Sequence, residues 1–268
     1  MPKLVTLERP REGVALVTLS DPKIHNHVSW AGVAGIADAL VEAREGGARV
    51  TVLASGVPGH WLEHAWLHDL RNTLLGRPTS GDASGWFRAL QELAETPVVS
   101  IAAISGDCSG GGAELGWACD LRIAEEQALF GQPEVQIGVA TGVGGTSRLA
   151  RLIGRTATAE LVLDGTPFTA QRIYELGGLN RVVPTGLALD VALEWASRLA
   201  DRPPASLAAL KQMLVDADNL HLRDALANEQ RLFQSVASQP AALERMKRVQ
   251  ERFDAGEAIR DVYGLPRR

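Results

Sequence analysis

An α/β core over residues 1–200, followed by a helical region over 201–268, is the fold class this 268-residue sequence predicts. Strand-like and helix-like segments alternate as far as Pro184, and only helical periodicity remains beyond it. A nearly unbroken apolar run over residues 98–104 adds that one strand is covered on both faces.

The elements follow in order. Val14–Leu19 is a β-branched run between Gly13 and Asp21-Pro22 and reads as a strand. Trp30, Val33, Ala37, Leu40 and Val41 recur at helical spacing, and Gly46-Gly47 closes that helix. Residues 50–54 read as a second strand. Trp86, Phe87, Leu90 and Leu93 mark a helix that stops before Pro97. After the 98–104 strand, short strands are expected at 121–124 and 128–130. Residues 187–200, 207–215 and 222–233 carry i, i+3/i+4 apolar spacing, with Pro203-Pro204 as a hinge that no helix runs through.

Composition excludes several classes of function. A 46% hydrophobic content is too high for a disordered chain. The 27 basic and 32 acidic residues leave a net charge of −5, unlike a domain that lives on phosphate backbones, so no nucleic-acid partner is expected. Only four of the 27 basic residues are Lys. Cys108 and Cys119 are too few for a disulfide framework and read as buried thiols in a reducing compartment. The segment from Met1 to Arg9 alternates apolar and polar residues and lacks a signal-peptide apolar stretch. No window approaches the ~18 apolar residues of a membrane helix. The expectation is a soluble, cytoplasmic protein.

Three motifs compete for the chemistry. His60-Trp61-Leu62-Glu63-His64 matches the H-x-x-E-H zinc-protease pattern, with His68 further along. Pro58-Gly59 shortens any helix there and no third ligand can be assigned, so the segment reads as a His-rich loop and no metal is expected. Gly106-Asp107-Cys108-Ser109-Gly110-Gly111 resembles the surroundings of a serine-protease nucleophile, but Cys108 puts Ser109 out of register. The third motif is Gly110-Gly111-Gly112 at a strand-to-helix turn, with a helix expected from Ala113 and Glu114 in its first turn. Bare glycine backbone lets a ligand oxygen approach helix N-terminal amides closely. An oxyanion hole and a phosphate nest are both compatible with that. No G-K-[ST] follows, and Gly142-Val143-Gly144-Gly145 lacks dinucleotide-fingerprint spacing. Glu134, after the short strand at 128–130, is a second carboxylate able to return to the same place. Paired carboxylates near a polarised carbonyl suit proton transfer beside it.

Residues 104–124 (ISGDCSGGGAELGWACDLRIA), 128–138 (ALFGQPEVQIG), 144–154 (GGTSRLARLIG) and 177–184 (GGLNRVVP) together resemble the crotonase, or enoyl-CoA hydratase/isomerase, family. The resemblance implies a spiral core of repeated ββα turns. It implies a C-terminal helical region that takes part in assembly and covers the site, and a homotrimer or dimer of trimers. It also implies an acyl-CoA thioester substrate, with coenzyme A present as part of that substrate and no other cofactor. By position, the amides of Ala65 and Gly111 would hold the thioester carbonyl. Both catalytic carboxylate positions are filled, by Glu114 and Glu134. That favours addition of water to a 2-enoyl-CoA over the double-bond shift for which members commonly keep only the second carboxylate. A β-diketone C–C hydrolase and a silent acyl-CoA binder are the other readings.

The departures mark candidate substrate contacts. Where members often have Gly-Ala-Asp, this chain has His64-Ala65-Trp66 with Glu63 beside it. His27-Val28 follows Asn26 where Ala-Leu is usual, with His25 before it, and Thr141 stands where Pro is common. His25, Glu63, Trp66, Gly110 and Thr141 are therefore expected to touch the substrate. With Lys scarce, Arg or His25 would hold the coenzyme A phosphates.

Overall fold

The computed structural model describes residues 3–264. Met1, Pro2 and residues 265–268, the outer ends of the two expected regions, lie outside the described residues. The described chain divides into two compact units, one ending at Lys211 and one beginning at Gln212.

The first unit is built on a six-stranded sheet. Its strands are β1 (Val5–Arg11), β2 (Val14–Leu19), β4 (Val50–Ser55), β7 (Val99–Ile104), β9 (Leu121–Glu125) and β12 (Arg181–Val183), adjacent in that order. Only β1 runs antiparallel to its neighbour. Between these strands the chain steps out to smaller sheets. β3 (His27–Val28) pairs with β6 (Glu63–Ala65), and β5 (Gly59–His60), β8 (Gly106–Ser109), β10 (Leu129–Gly131) and β11 (Phe168–Thr169) form a third sheet. Helices then return the chain: α1 (Trp30–Glu45), α2 (Leu67–Leu74), α3 (Gly85–Ala94), α4 (Gly110–Ala118), α5 (Ser147–Asp164) and α6 (Ala170–Glu175). Successive strand–strand–helix turns, seen most plainly in β7-β8-α4, wind the core as a spiral.

Both faces of the large sheet are buried. Val50, Val52, Val99, Ile101, Ala103 and Ile123 face one way, against Ala188, Ala192, Ala196 and Ala200 of α7 (Ala188–Ala200). Alanine at every fourth position lets that helix lie close to the strands. Leu53, Ala102, Ile104 and Ala124 face the other way, with α1, α3 and α4. The two-sided burial expected of residues 98–104 is observed.

α8 (Pro204–Asn219) begins on Pro204, whose missing N–H costs nothing in a first turn. Within it Lys211 is buried, its Nζ 2.8 Å from Asp120 Oδ2 and 2.7 Å from both the Leu93 and Val98 carbonyl oxygens. That anchorage explains why the first unit runs on to Lys211. The second unit holds the rest of α8, then α9 (Leu222–Ala237), α10 (Pro240–Asp254) and α11 (Ile259–Tyr263). Among the described residues no helix is long and apolar enough to cross a membrane.

One expected boundary is corrected. α4 begins at Gly110, not Ala113, so the glycines form its first turn and Glu114 lies in its second. Glycine is a poor helix former, but here the packing demands it. A Cβ on Gly112 would stand 2.1 Å from the Leu62 carbonyl oxygen, and one on Gly111 would stand 2.7 Å from the Trp86 ring.

Candidate active site

Glu114 projects from α4 and is almost fully buried. Its Oε1 accepts the backbone N–H groups of Val143 at 3.1 Å and Gly145 at 2.5 Å. The glycine-rich loop before α5 thus cradles a carboxylate of the protein itself. Burial pushes the Glu114 pKa up, and the loop amides pull it back.

Glu134 sits in a short 3-10 helix, Pro133–Ile137, directly after β10. Burial, with the nearby Glu114 charge adding to it, raises its pKa to about 7. Fully buried Gln132 links it to the core. In the amide orientation that satisfies both ends, the Gln132 nitrogen donates to Glu134 Oε1 at 3.0 Å and Oε2 at 3.2 Å. Its oxygen accepts Trp117 Nε1–H at 3.2 Å. A Cβ on Gly145 would lie 2.6 Å from the Gln132 amide and 2.8 Å from Glu114 Oε1, so both carboxylate systems meet at that glycine.

Ala65 ends β6, and Gly111 is the second residue of α4, where a helix N–H has no intrahelical acceptor. The amides around Ala65 are committed: Glu63 N–H to the Asn26 carbonyl at 3.0 Å, His64 N–H to Ser109 Oγ at 3.2 Å, and Trp66 N–H to the Val28 carbonyl at 2.9 Å. The pairing register of β3 and β6 slips within this stretch. Gly110, at φ 47°, joins the pieces: a Cβ there would lie 2.6 Å from His64 Cβ and 3.3 Å from Glu134 Oε1.

The other expected contacts are placed less evenly. Thr141 is at the carboxylates, its Cγ2 2.8 Å from where a Gly145 Cβ would be. Glu63 is held by His60 Nδ1 at 3.0 Å and by the Ser109 hydroxyl, which donates to it at 2.6 Å. Trp66 stacks edge-on to His27, with ring centroids 5.8 Å apart. His25 is exposed and reaches this group only through His60, at 5.0 Å between rings.

His60 and His64 lie on two short strands rather than one helix face, and their partners are Glu63 and His27. Among the described residues no group of three or more His, Cys, Asp or Glu is arranged to hold a metal ion. The Ser109 hydroxyl donates to a carboxylate, and what it accepts from His64 is the backbone N–H, not a ring nitrogen.

Three features carry no mark in the sequence: Gln132, the Ser109–Glu63 bond and the contact between His27 and His64. The amide cradle of residues 142–145 shows there only as glycines whose spacing fits no nucleotide.

Comparison with known proteins places the chain in a family. A family model described as enoyl-CoA hydratase/isomerase matches residues 9–255, and the chain is an enzyme belonging to that family. It is 40% identical to the 2,3-dehydroadipyl-CoA hydratase of Escherichia coli over 138 residues, covering 52% of this chain and 54% of that one. It is 32% identical to the short-chain-enoyl-CoA hydratase of Clostridium acetobutylicum over 227 residues, 83% of this chain and 86% of that one. The crystal structure of an enoyl-CoA hydratase from Bacillus anthracis superposes with a TM-score of 0.82 at 26% identity, covering 93% of this chain and 96% of that one.

Proposed function

We propose that this enzyme adds water across the 2,3 double bond of an enoyl-CoA. The observation that carries this reading is a pair of carboxylates in unlike surroundings, Glu114 buried among amide donors and Glu134 half-buried with a pKa of about 7. Two carboxyls in such unlike surroundings can divide acid and base work between them.

The thioester oxygen accepts the amides of Ala65 and Gly111, which stabilise it as negative charge develops; one such donor is worth about 3 kcal/mol of barrier. With Oε1 bound to the loop, Glu114 has Oε2 left to orient a water and take its proton as the oxygen attacks C3. Glu134, partly protonated near neutral pH, delivers its proton to C2. Moving one proton from Glu114 to Glu134 restores the resting state. Gly110 and Thr141 shape the space at the carboxylates, and Glu63, Trp66 and His25 line the approach beside β6. His25 or Arg side chains hold the coenzyme A phosphates. No cofactor beyond the coenzyme A of the substrate is required. The enzyme works in the cytoplasm as a homotrimer or dimer of trimers, to whose assembly residues 201–268 contribute.

Glu114→Ala and Glu134→Ala are each expected to lower crotonyl-CoA hydration by about 10²–10⁴-fold with the fold intact. Double-bond migration in a 3-enoyl-CoA without hydration, lost with Glu134 alone, would instead mark an isomerase. Turnover of a β-diketone with no thermal protection by coenzyme A would mark a C–C hydrolase.

A further inference from the structure

His27 on β3 and His64 on β6 face each other beside this site, Nε2 to Nε2 at 3.1 Å. His64 Nδ1 lies 2.9 Å from the Ala65 carbonyl oxygen, and His27 Nδ1 contacts the Ile24 carbonyl oxygen. A carbonyl oxygen only accepts, so each Nδ1 carries a hydrogen. In two neutral rings the facing Nε2 atoms would then be two lone pairs in contact. A single added proton turns that repulsion into an N–H···N bond.

The surroundings favour one charge and oppose two. The titratable groups around the pair are His25 on the preceding turn, Glu63 on β6 with His60 of β5 bound to it, and Glu134 across Gly110. The Glu63 carboxylate is already engaged by His60 and Ser109. Burial lowers the His27 pKa, while its bond to Ile24 and the Glu63 charge raise it; His64 and His25 lower it further. A second proton is therefore resisted.

We propose that His27 and His64 are a positioning pair: one proton shared between their Nε2 atoms fixes the Ala65 end of β6, and with it the Ala65 amide that receives the thioester oxygen. The role rests on the assignment of Ala65 as an oxyanion donor. The shared proton is lost as pH rises through the pKa of the pair, and the grip on Ala65 goes with it.

Side-chain ¹⁵N NMR of the full-length protein reads the pair directly, without any substrate. Both Nδ1 atoms are expected to be protonated, and the pair to give up its one proton in a single step as pH rises. In His27→Gln, whose amide can donate to His64 but cannot share a proton, the shared-proton signal should be lost. With crotonyl-CoA as substrate, kcat should fall about tenfold with KM little changed, the scale of one charge-assisted hydrogen bond. An Nε2–H tautomer on either neutral ring would overturn the proposal, as would an unchanged kcat in His27→Gln. Should that variant fail to fold, the wild-type spectrum decides alone. Absence of any hydratase activity would count against the reading of the reaction and leave the NMR result to stand or fall separately.

Discussion

Glu134 owes its raised pKa to burial, against which its own backbone N–H pulls; the Gln132 amide, donating to both carboxylate oxygens, also favours the ionised form. Replacing Gln132 with Leu removes the donor that favours the ionised form, so the Glu134 pKa should climb further. Because hydration uses the protonated form, the alkaline limb of kcat/KM should move to higher pH in Gln132→Leu. A limb that stayed in place would show that Glu134 does not set it. The same group leaves a mark on stability. A carboxyl whose pKa is raised on folding favours the folded state below its unfolded value and loses that contribution as pH rises through the folded one. For Glu134 the window runs from 4.5 to about 7. Melting temperature should fall across it more in the wild type than in Glu134→Gln.

At the scale of elements, the glycine triplet is where helix α4 meets strand β6. Gly112→Ala would force a Cβ to 2.1 Å from the Leu62 carbonyl oxygen and 2.3 Å from that of Glu63. Backbone atoms cannot swing aside, so α4 must lift away from β6 at a cost of roughly 1–3 kcal/mol. Thermal unfolding of this variant should show a clear loss, whereas Gly142→Ala, which meets nothing within 4 Å, should melt near the wild type. The long elements were legible because burial imposes a period. Val14–Leu19 is observed as expected, and α1, α3, β4, β7 and β9 fall within a residue or two of their expected spans. The short strands β5, β6 and β8 have two to four residues, too few for any period to emerge, and each is completed by a partner strand distant in sequence: β3 for β6, β8 for β5, and β5 and β10 for β8. Of the site, Glu114, Glu134 and the glycine turn were legible by motif. Gln132 and the His27–His64 contact were not, since both depend on which strands lie side by side.

At the scale of the molecule, Lys211 closes the first unit at its C-terminal end. Its ammonium is buried against Asp120 and two carbonyl oxygens, and Asp120 also accepts the Ser100 N–H at 2.7 Å. Lys211→Met would leave those acceptors without their cation, which costs about 3–5 kcal/mol for a buried pair. Chemical denaturation should register that as a lowered midpoint. The fold winds β3, β6, β8 and α4 to one place, so two carboxylates and two candidate amides far apart in sequence become neighbours. The claim that this place hydrates an enoyl thioester is tested most directly by mass spectrometry of crotonyl-CoA incubated with enzyme in ¹⁸O-labelled water. A 3-hydroxyacyl product carrying ¹⁸O at C3, formed by the wild type and lost in both Glu114→Gln and Glu134→Gln, is predicted. Labelled product that persists in either variant, or a wild type that yields none, would contradict it.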